Sequence, residues 1–374
     1  MSNQYYAKRT NWYAVKATTP NISNYIYNDV NRNGLYDIED LPMMKVVVKM
    51  TRPDGTTVAR RSNLNGFANF THSLTEEKVD VKATGTYKFE VIVPEGWEIT
   101  SYNGIQHGTY SAAPHARPGI IIDKVPDPVG IAPILTISGE VYIKQDDGSI
   151  KRGNSDLVTI HAQHSNGEIK QLELTNEGKY SFVGNPGSWT INYKAKNGKS
   201  VVKRVMELNR CPIKVSSIVL GEEDRTEKNI KNTVDFAGIT YSEIQKMPNG
   251  VGGLNWSNLV VTHNKLYKGE GYSNGTISGE YVGYNSSGHP VTIELAEGFD
   301  FYGAYFTAAW LEQSEGETLE VRAWRGEELV VDEEYTLSAL GPFWLDANYK
   351  DITKLVLSTK HYWQFIVDHI HVGI

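Results

Sequence analysis

Between Asp29 and Asp40 the chain sets oxygen-bearing side chains at loop positions 1, 3, 5, 9 and 12 and a glycine at position 6, and it does so between segments that read as strands. A hard cation such as calcium takes roughly six to eight oxygen ligands, and a short loop gathers them only if one residue makes a sharp turn. Gly34 stands at that turn and tolerates positive φ. The flanks decide what kind of loop this is. With no helix on either side, metal binding cannot open a helix pair, so the loop belongs at the edge of a sheet.

The rest of the chain agrees with that expectation. Runs at 46–50, 131–137, 158–163, 189–195 and 319–324 alternate apolar with polar residues or are rich in β-branched ones, the pattern of strands. Turn signals separate them: Pro53-Asp54-Gly55, Asp146-Asp147-Gly148, Ser165-Asn166-Gly167, Asn197-Gly198 and Ser273-Asn274-Gly275. Helical periodicity is confined to short stretches at 242–247 and 309–313. An all-β chain of 374 residues has room for two or three domains.

Charge divides the chain. Residues 1–221 carry 26 Lys and Arg against 21 Asp and Glu, and residues 222–374 carry 11 against 23, so +5 and −12 give the net −7. The acidic block predicts a separate C-terminal domain that would repel a phosphate backbone, so nucleic acid is not an expected partner. Cys211 is the only cysteine, which excludes an intrachain disulfide. No apolar run approaches the roughly 20 residues needed to span a bilayer. The first residues lack the apolar stretch of a secretory signal.

Residues 21–125 carry a resemblance. Tyr25-Ile26-Tyr27-Asn28-Asp29 leads into the loop, and Leu41-Pro42-Met43-Met44-Lys45-Val46-Val47-Val48 follows it. Asn63-Leu64-Asn65-Gly66-Phe67-Ala68-Asn69-Phe70, a strand at 87–91 and Pro94-Glu95-Gly96-Trp97 come next. This segment resembles the calcium-binding B-type repeat of Gram-positive surface adhesins, an immunoglobulin-like β-sandwich similar to the collagen-adhesin B domain. The resemblance implies calcium as cofactor, held by Asp29, Asn31, Asn33, the Leu35 carbonyl, Asp37 and Asp40. The family usually has Glu at position 12. Asp40 stands here with Glu39 one place early, and the shorter side chain implies weaker bidentate ligation.

A second unit at 134–221 carries Ser138-Gly139-Glu140-Val141-Tyr142, Gly178-Lys179-Tyr180-Ser181-Phe182 and Pro186-Gly187-Ser188-Trp189-Thr190. It is similar to carboxypeptidase regulatory-like and collagen-adhesin B-like sandwiches and lacks the calcium loop. A Pro-rich bridge at 124–133 and a charged linker at 222–231 would set the units apart. Residues 232–374 contain Val234-Asp235-Phe236, Gly252-Gly253-Leu254-Asn255-Trp256 and a long aromatic run from Gly298 to Trp310. This stretch resembles the jelly-roll domains of bacterial exported proteins that often carry a C-terminal sorting tag. It is also similar to galactose-binding-like sandwiches.

Five of the eight tryptophans lie in that last domain. Exposed aromatics stack on the apolar faces of sugars, which makes Asn255, Trp256, Asn258, Tyr272 and Trp344 a candidate glycan site, with Trp344 placed on a loop. Trp310 and Trp324 lie in apolar strand contexts and are expected in the core. Asp235 and Asp368 fall where first and last strands would meet and are candidate ligands of a second calcium. His361, His369 and His371 show no spacing that would complete a transition-metal site, and Cys211 reads as a buried thiol.

In the N-terminal arm at 1–20, Tyr5, Tyr6, Arg9, Trp12 and Tyr13 form a candidate docking segment, because aromatics and Arg make good interface anchors. No G-x-S-x-G, P-loop or H-E-x-x-H motif is present. The expectation is therefore a non-enzymatic structural or adhesion protein of tandem immunoglobulin-like sandwiches and a jelly-roll head. The absence of an export signal points to a tailed-phage virion accessory protein. Its arm would dock on other virion subunits within a symmetric or homo-oligomeric assembly, and its head would meet host-surface glycans. The alternatives are an extracellular bacterial adhesin or matrix protein and a glycan-active enzyme.

Overall fold

The computed structural model describes residues 21–71, 80, 85–101, 109–113, 121–122, 126–222, 225–267 and 270–374. The candidate docking arm, with Tyr5, Tyr6, Arg9, Trp12 and Tyr13, lies outside them. The chain forms two compact units, Met1–Ile134 and Leu135–Ile374. Both are all-β. Among the described residues no helix is long and apolar enough to cross a membrane.

The first unit is a two-sheet sandwich. One sheet runs Leu41–Pro42, Asn21–Asn28, Val129–Pro133, Trp97–Ile99, with Phe67–Thr71 also on Asn21–Asn28. The other runs Thr57–Arg61, Val47–Thr51, Gly85–Ile92, Thr109–Ala113, Ile121–Ile122. Alternation along Val47–Thr51 puts Val48 and Met50 inside at 0% exposure, as a period of two requires. Phe70 from one sheet meets Phe89 from the other at 5.2 Å, edge to face. The opening strand pairs in parallel with Val129–Pro133, Ile26 opposite Val129 and Asn28 opposite Ile131. Much of the expected Pro-rich bridge is therefore the buried closing strand of this sandwich. Pro133 fits there because its missing N–H falls at a strand terminus.

Among the described residues the second unit has one hydrophobic core in its 135–220 part and a large and a small one in its 231–374 part, with one sheet running through both parts. The 135–220 part packs a four-stranded sheet (Ile169–Leu172, Val158–His164, Gly187–Ala195, Val201–Leu208) against strands around Thr136–Lys144. Trp189, Ile160, Ile191 and Tyr193 lie in its core at 0% exposure. The 231–374 part is a jelly-roll-like sandwich built on two long strands, Val291–Ala308 and Phe343–Thr359, bent by register shifts between Glu294 and Gly303. Its first strand, Lys231–Val234, pairs with the last, Phe365–Gly373. Short helices occupy Glu270–Asn274 and Leu311–Ser314, the second overlapping the 309–313 stretch expected to be helical. The other such stretch, 242–247, instead contains the strand Ile244–Lys246, paired with Leu259–His263.

Ile213–Val215 links the two parts. It pairs in parallel with Thr136–Lys144 on one side and with Phe343–Thr359 on the other, Ile213 opposite Trp344. Ser216 Oγ donates to the Ala347 carbonyl at 2.6 Å, and the Ser217 N–H donates to Glu333 at 2.8 Å.

From Glu227 on, the charged linker is fixed rather than loose. The Lys228 N–H donates to the fully buried Asp300 carboxylate at 2.9 Å, and Glu227 pairs with Lys231 at 2.8 Å and Lys350 at 3.0 Å. These two ammonium groups hold the Glu227 carboxyl down at about 2. A carboxylate whose folded pKa is depressed stabilises above its unfolded value and loses that contribution as pH falls through the folded one. Replacing Glu227 with Gln is thus expected to lower the melting temperature of the second unit at about pH 7, with the difference shrinking toward about pH 2. A difference that persists unchanged in acid would show that the ion pairs are not its source.

Candidate metal centre

The loop at 29–40 starts where the opening strand ends. The Asp29 N–H donates to the Ile131 carbonyl of the closing strand at 3.0 Å, which fixes the first residue. The Asp29 carboxylate is fully buried and accepts the Asn33 N–H at 3.1 Å and the Gly34 N–H at 2.8 Å. Gly34 takes φ 76°, as the sharp turn requires. Three Asx turns follow: Asn31 accepts from the Asn33 N–H, Asn33 from the Leu35 N–H, and Asp37 from the Glu39 N–H. Asp40, 6% exposed, accepts the Val30 and Asp37 N–H groups. These short-range bonds explain why Asn and Asp at this spacing form the loop.

The electrostatics are unbalanced. Burial, aided by the charges of Asp37 and Asp29, pushes the Asp40 carboxyl up to about 6. Asp37 is half-buried, and hydrogen bonds from Asn31, the Glu39 N–H and Asn33 lower its pKa. Burial and then the charges of Asp29, Asp40 and Asp37 push the Tyr27 phenol upward. The loop's only cationic side chain, Arg32, turns away to the Pro133 carbonyl at 2.9 Å and to Glu98.

Among the described residues no Lys or Arg is paired with Asp29 or Asp40, and a buried carboxylate of that kind fits a hard metal ion. The donor set is all oxygen, as calcium needs. The amide oxygens of Asn31 and Asn33 each keep a lone pair beyond the one accepting a backbone N–H. One observation runs the other way. Among the described residues no three His, Cys, Asp or Glu side chains converge as a ready metal cluster. The amide NH2 groups of Asn31 and Asn33 lie against Asp37 at 2.8 and 2.7 Å, so ligation needs that carboxylate to exchange them for the ion.

The other expected sites come apart. Trp256 is 4% exposed and donates to the Val251 carbonyl, and Tyr272 is fully buried, so neither can stack on a sugar. Asn255 is exposed, whereas Asn258 spends its amide on the carbonyls of Ser286, His289 and Pro290. Trp344 lies in a strand rather than a loop, packed against Tyr305 and His371 at 4.8 and 4.9 Å. Trp310 and Trp324 are half-buried, the first bonded to Gln364 and the second beneath Lys354.

Asp235 and Asp368 lie on or beside the paired first and last strands but serve separate local roles. Asp235 accepts the Ala237 N–H, while fully buried Asp368 accepts the Ile277 and His369 N–H groups. Asp368 also lies 3.2 Å from His369 Nδ1, and Ser278 Oγ lies 3.4 Å from His369 Nε2. These residue types serve nucleophilic catalysis elsewhere. Here Asp368 already accepts two backbone N–H groups and Ser278 is open to water, so the set reads as an anchor for the strand end. His361 pairs with Glu317 at 3.0 Å, and burial pushes the Cys211 thiol up to about 12.

Sequence reasoning missed Tyr362, 67% exposed, beside Trp363, 40% exposed. The available signal was Lys360-His361-Tyr362-Trp363-Gln364, a turn between two apolar strands that carries large rings and no glycine.

No family model matches the chain. Over 204 residues it is 36% identical to serine-aspartate repeat-containing protein E of Staphylococcus aureus (strain Newman), covering 47% of this chain and 15% of that protein. Bone sialoprotein-binding protein of Staphylococcus aureus is also 36% identical over 204 residues, covering 47% and 16%. Serine-aspartate repeat-containing protein D of the Newman strain is 26% identical over 192 residues, covering 48% and 14%. The chain thus spans about a sixth of the length of the curated relatives it matches. Among solved structures, a shaft pilin of Lactobacillus rhamnosus GG has a TM-score of 0.23 at 10% identity, covering 54% of this chain and 98% of that one. That likeness is too slight to bear on fold or function. Nearly half of this chain is thus similar in sequence to serine-aspartate repeat-containing and bone sialoprotein-binding proteins of Staphylococcus aureus.

Proposed function

We propose that the chain is a non-enzymatic adhesion and display protein, a sandwich spacer carrying a rigid head. The observation that carries this reading is the strand Ile213–Val215, which belongs at once to the second sandwich and to the head. A backbone ladder on both sides removes the hinge that a peptide linker would provide. Homology of nearly half the chain to staphylococcal surface adhesins supports the same reading.

Calcium is the proposed cofactor, held by Asp29, Asn31, Asn33, the Leu35 carbonyl, Asp37 and Asp40. Its role would be mechanical, through charge balance of buried carboxylates. The arm joins at Asn21, whereas the loop begins beyond Asn28, roughly 23 Å along the strand. Arg32 and Asp29 bond the closing strand Val129–Pro133. The ion would therefore brace the end at which the chain leaves the first sandwich, not the junction with the arm.

The proposed location is an outer surface, that of a bacterial cell. Display on a phage particle, with the arm docked on other virion subunits, is the other setting. Quantitative mass spectrometry of cell-wall fractions and of purified particles from the same culture tests both. Enrichment in the wall fraction is expected, enrichment in particles would move the protein to the virion, and recovery with neither would sink the display reading.

A further inference from the structure

We propose that the turn at residues 360–364 of the head is a binding ledge for a neutral sugar, with Tyr362 and Trp363 as the stacking surface. This rests on the display reading and names the ligand class of its head. The two side chains are 67% and 40% exposed, although one large buried core and a smaller aromatic cluster lie in the same domain.

The turn is held in place at almost every residue. The Lys360 N–H donates to the Thr318 carbonyl, the His361 N–H to the buried Glu317 carboxylate, and the Tyr362 N–H to the Thr359 carbonyl. The Trp363 carbonyl accepts from Thr359 Oγ1 at 2.6 Å, and buried Asn285 holds the Phe365 N–H at 2.7 Å.

The backbone at this turn and its neighbour is strained at two residues. Ser287 and Tyr362 take φ of 54° and 61°, the left-handed region that side chains other than Asn or Asp seldom occupy. Gly288 is pressed so closely on the Tyr362 carbonyl that a Cβ there would lie 1.7 Å from its oxygen. Strain held by surrounding bonds marks places where the chain fixes a geometry for use. What is fixed here is the outward presentation of two aromatic rings. A preformed site loses little freedom on binding, which favours affinity.

The surroundings select the ligand. The exposed His289 ring stands 6.3 Å from that of Tyr362, and the Ser287 hydroxyl is exposed beside it. Lys360 pairs with Glu334 at 3.6 Å, and His361 Nδ1 lies 3.0 Å from the buried Glu317 carboxylate. The turn's only lysine thus already has a carboxylate partner, and what the ledge presents is rings and polar groups. A pyranose ring fits this arrangement. Its axial C–H face meets the electron-rich face of an aromatic ring, and its hydroxyls meet the imidazole and serine at the rim.

The test uses the full chain on an array of neutral hexose, fucose and N-acetylhexosamine oligosaccharides, followed by titration of the strongest one with tryptophan fluorescence as readout. Trp363→Ala and Tyr362→Asn, the latter chosen because Asn tolerates the left-handed backbone, are each expected to weaken binding about tenfold or more at an unchanged melting temperature. Glu327→Ala, exposed in the turn between Thr318–Arg325 and Glu328–Thr336 and off the ledge, is expected to leave it unchanged. The proposal is overturned if no neutral glycan binds, if only anionic glycans bind, or if binding survives both ledge variants. It is also overturned if the variants instead abolish self-association in sedimentation, which would make the ledge a contact for a second copy. Failure here leaves the display reading standing, since that is tested by location.

Discussion

Calcium at a hundredfold excess over its Kd is expected to stabilise the first sandwich by about 2.7 kcal/mol, a rise of roughly 10 °C or more in melting temperature for a unit of this size. The cause is buried charge. Asp29 is fully shielded from water and Asp40 nearly so, and neither faces the loop's only cation, Arg32. Binding to the native state alone must raise its stability. Asp37→Ala is the informative variant. Asp37 is half-buried and its bonds stay within the loop, so its loss should spare the fold and abolish the calcium shift. Asp29→Ala should abolish the shift too, but it also frees the Asn33 and Gly34 N–H groups and so lowers the baseline.

The pH dependence has a definite sign. The Asp40 carboxyl is raised to about 6, so the metal-free loop keeps its full contribution below about 4 and loses it as pH rises through about 6. Ligation needs the ionised form. The calcium shift should therefore be small at about pH 5 and grow to its full size by about pH 7. Identical melting curves with calcium and with a chelator at about pH 7 would remove the metal from this protein.

Trp189→Ala is expected to cost about 3–5 kcal/mol and to lower the melting of the head along with that of the second sandwich. Trp189 is fully buried, stacks edge-on to Phe182 at 5.1 Å and donates to the Asn185 carbonyl at 2.9 Å. Its removal empties the centre of the 135–220 core. The effect should reach the head because the sheets are continuous through Ile213–Val215, and because the Trp344 N–H donates to the Pro212 carbonyl and the Ser216 N–H to that of Asp346. Calorimetry should show a single transition for residues 135–374, moved as a whole by the variant. Hydrogen exchange should show protection lost together in Val158–His164 and in Phe343–Thr359. A head that melts at its wild-type temperature while the sandwich unfolds earlier would refute the shared-strand argument.

Much of this architecture was legible in local pattern. The alternation at 158–163 and 319–324 became Val158–His164 and Thr318–Arg325, and the dipeptide Asn197-Gly198 became a turn with Gly198 at φ 76°. The loop at 29–40 folds as its spacing requires, since each Asx turn is closed within two residues. The candidate sugar site was not legible. Trp256 and Trp363 look alike in sequence, yet one fills a core and the other stands in water. The difference depends on which strands come together over each ring.

The sequence by itself determined the all-β class, the positions of strands and turns and the conformation of the 29–40 loop, because each rests on interactions between residues a few places apart. Only the tertiary structure decided three other things. Val129–Pro133 closes a sandwich instead of spanning a gap, Ile213–Val215 fuses sandwich to head, and residues 360–364 are held as a ledge. Each depends on hydrogen bonds between segments far apart in the chain. A strand's own residues specify that it will pair and which face it buries, but its partner is chosen by the whole fold.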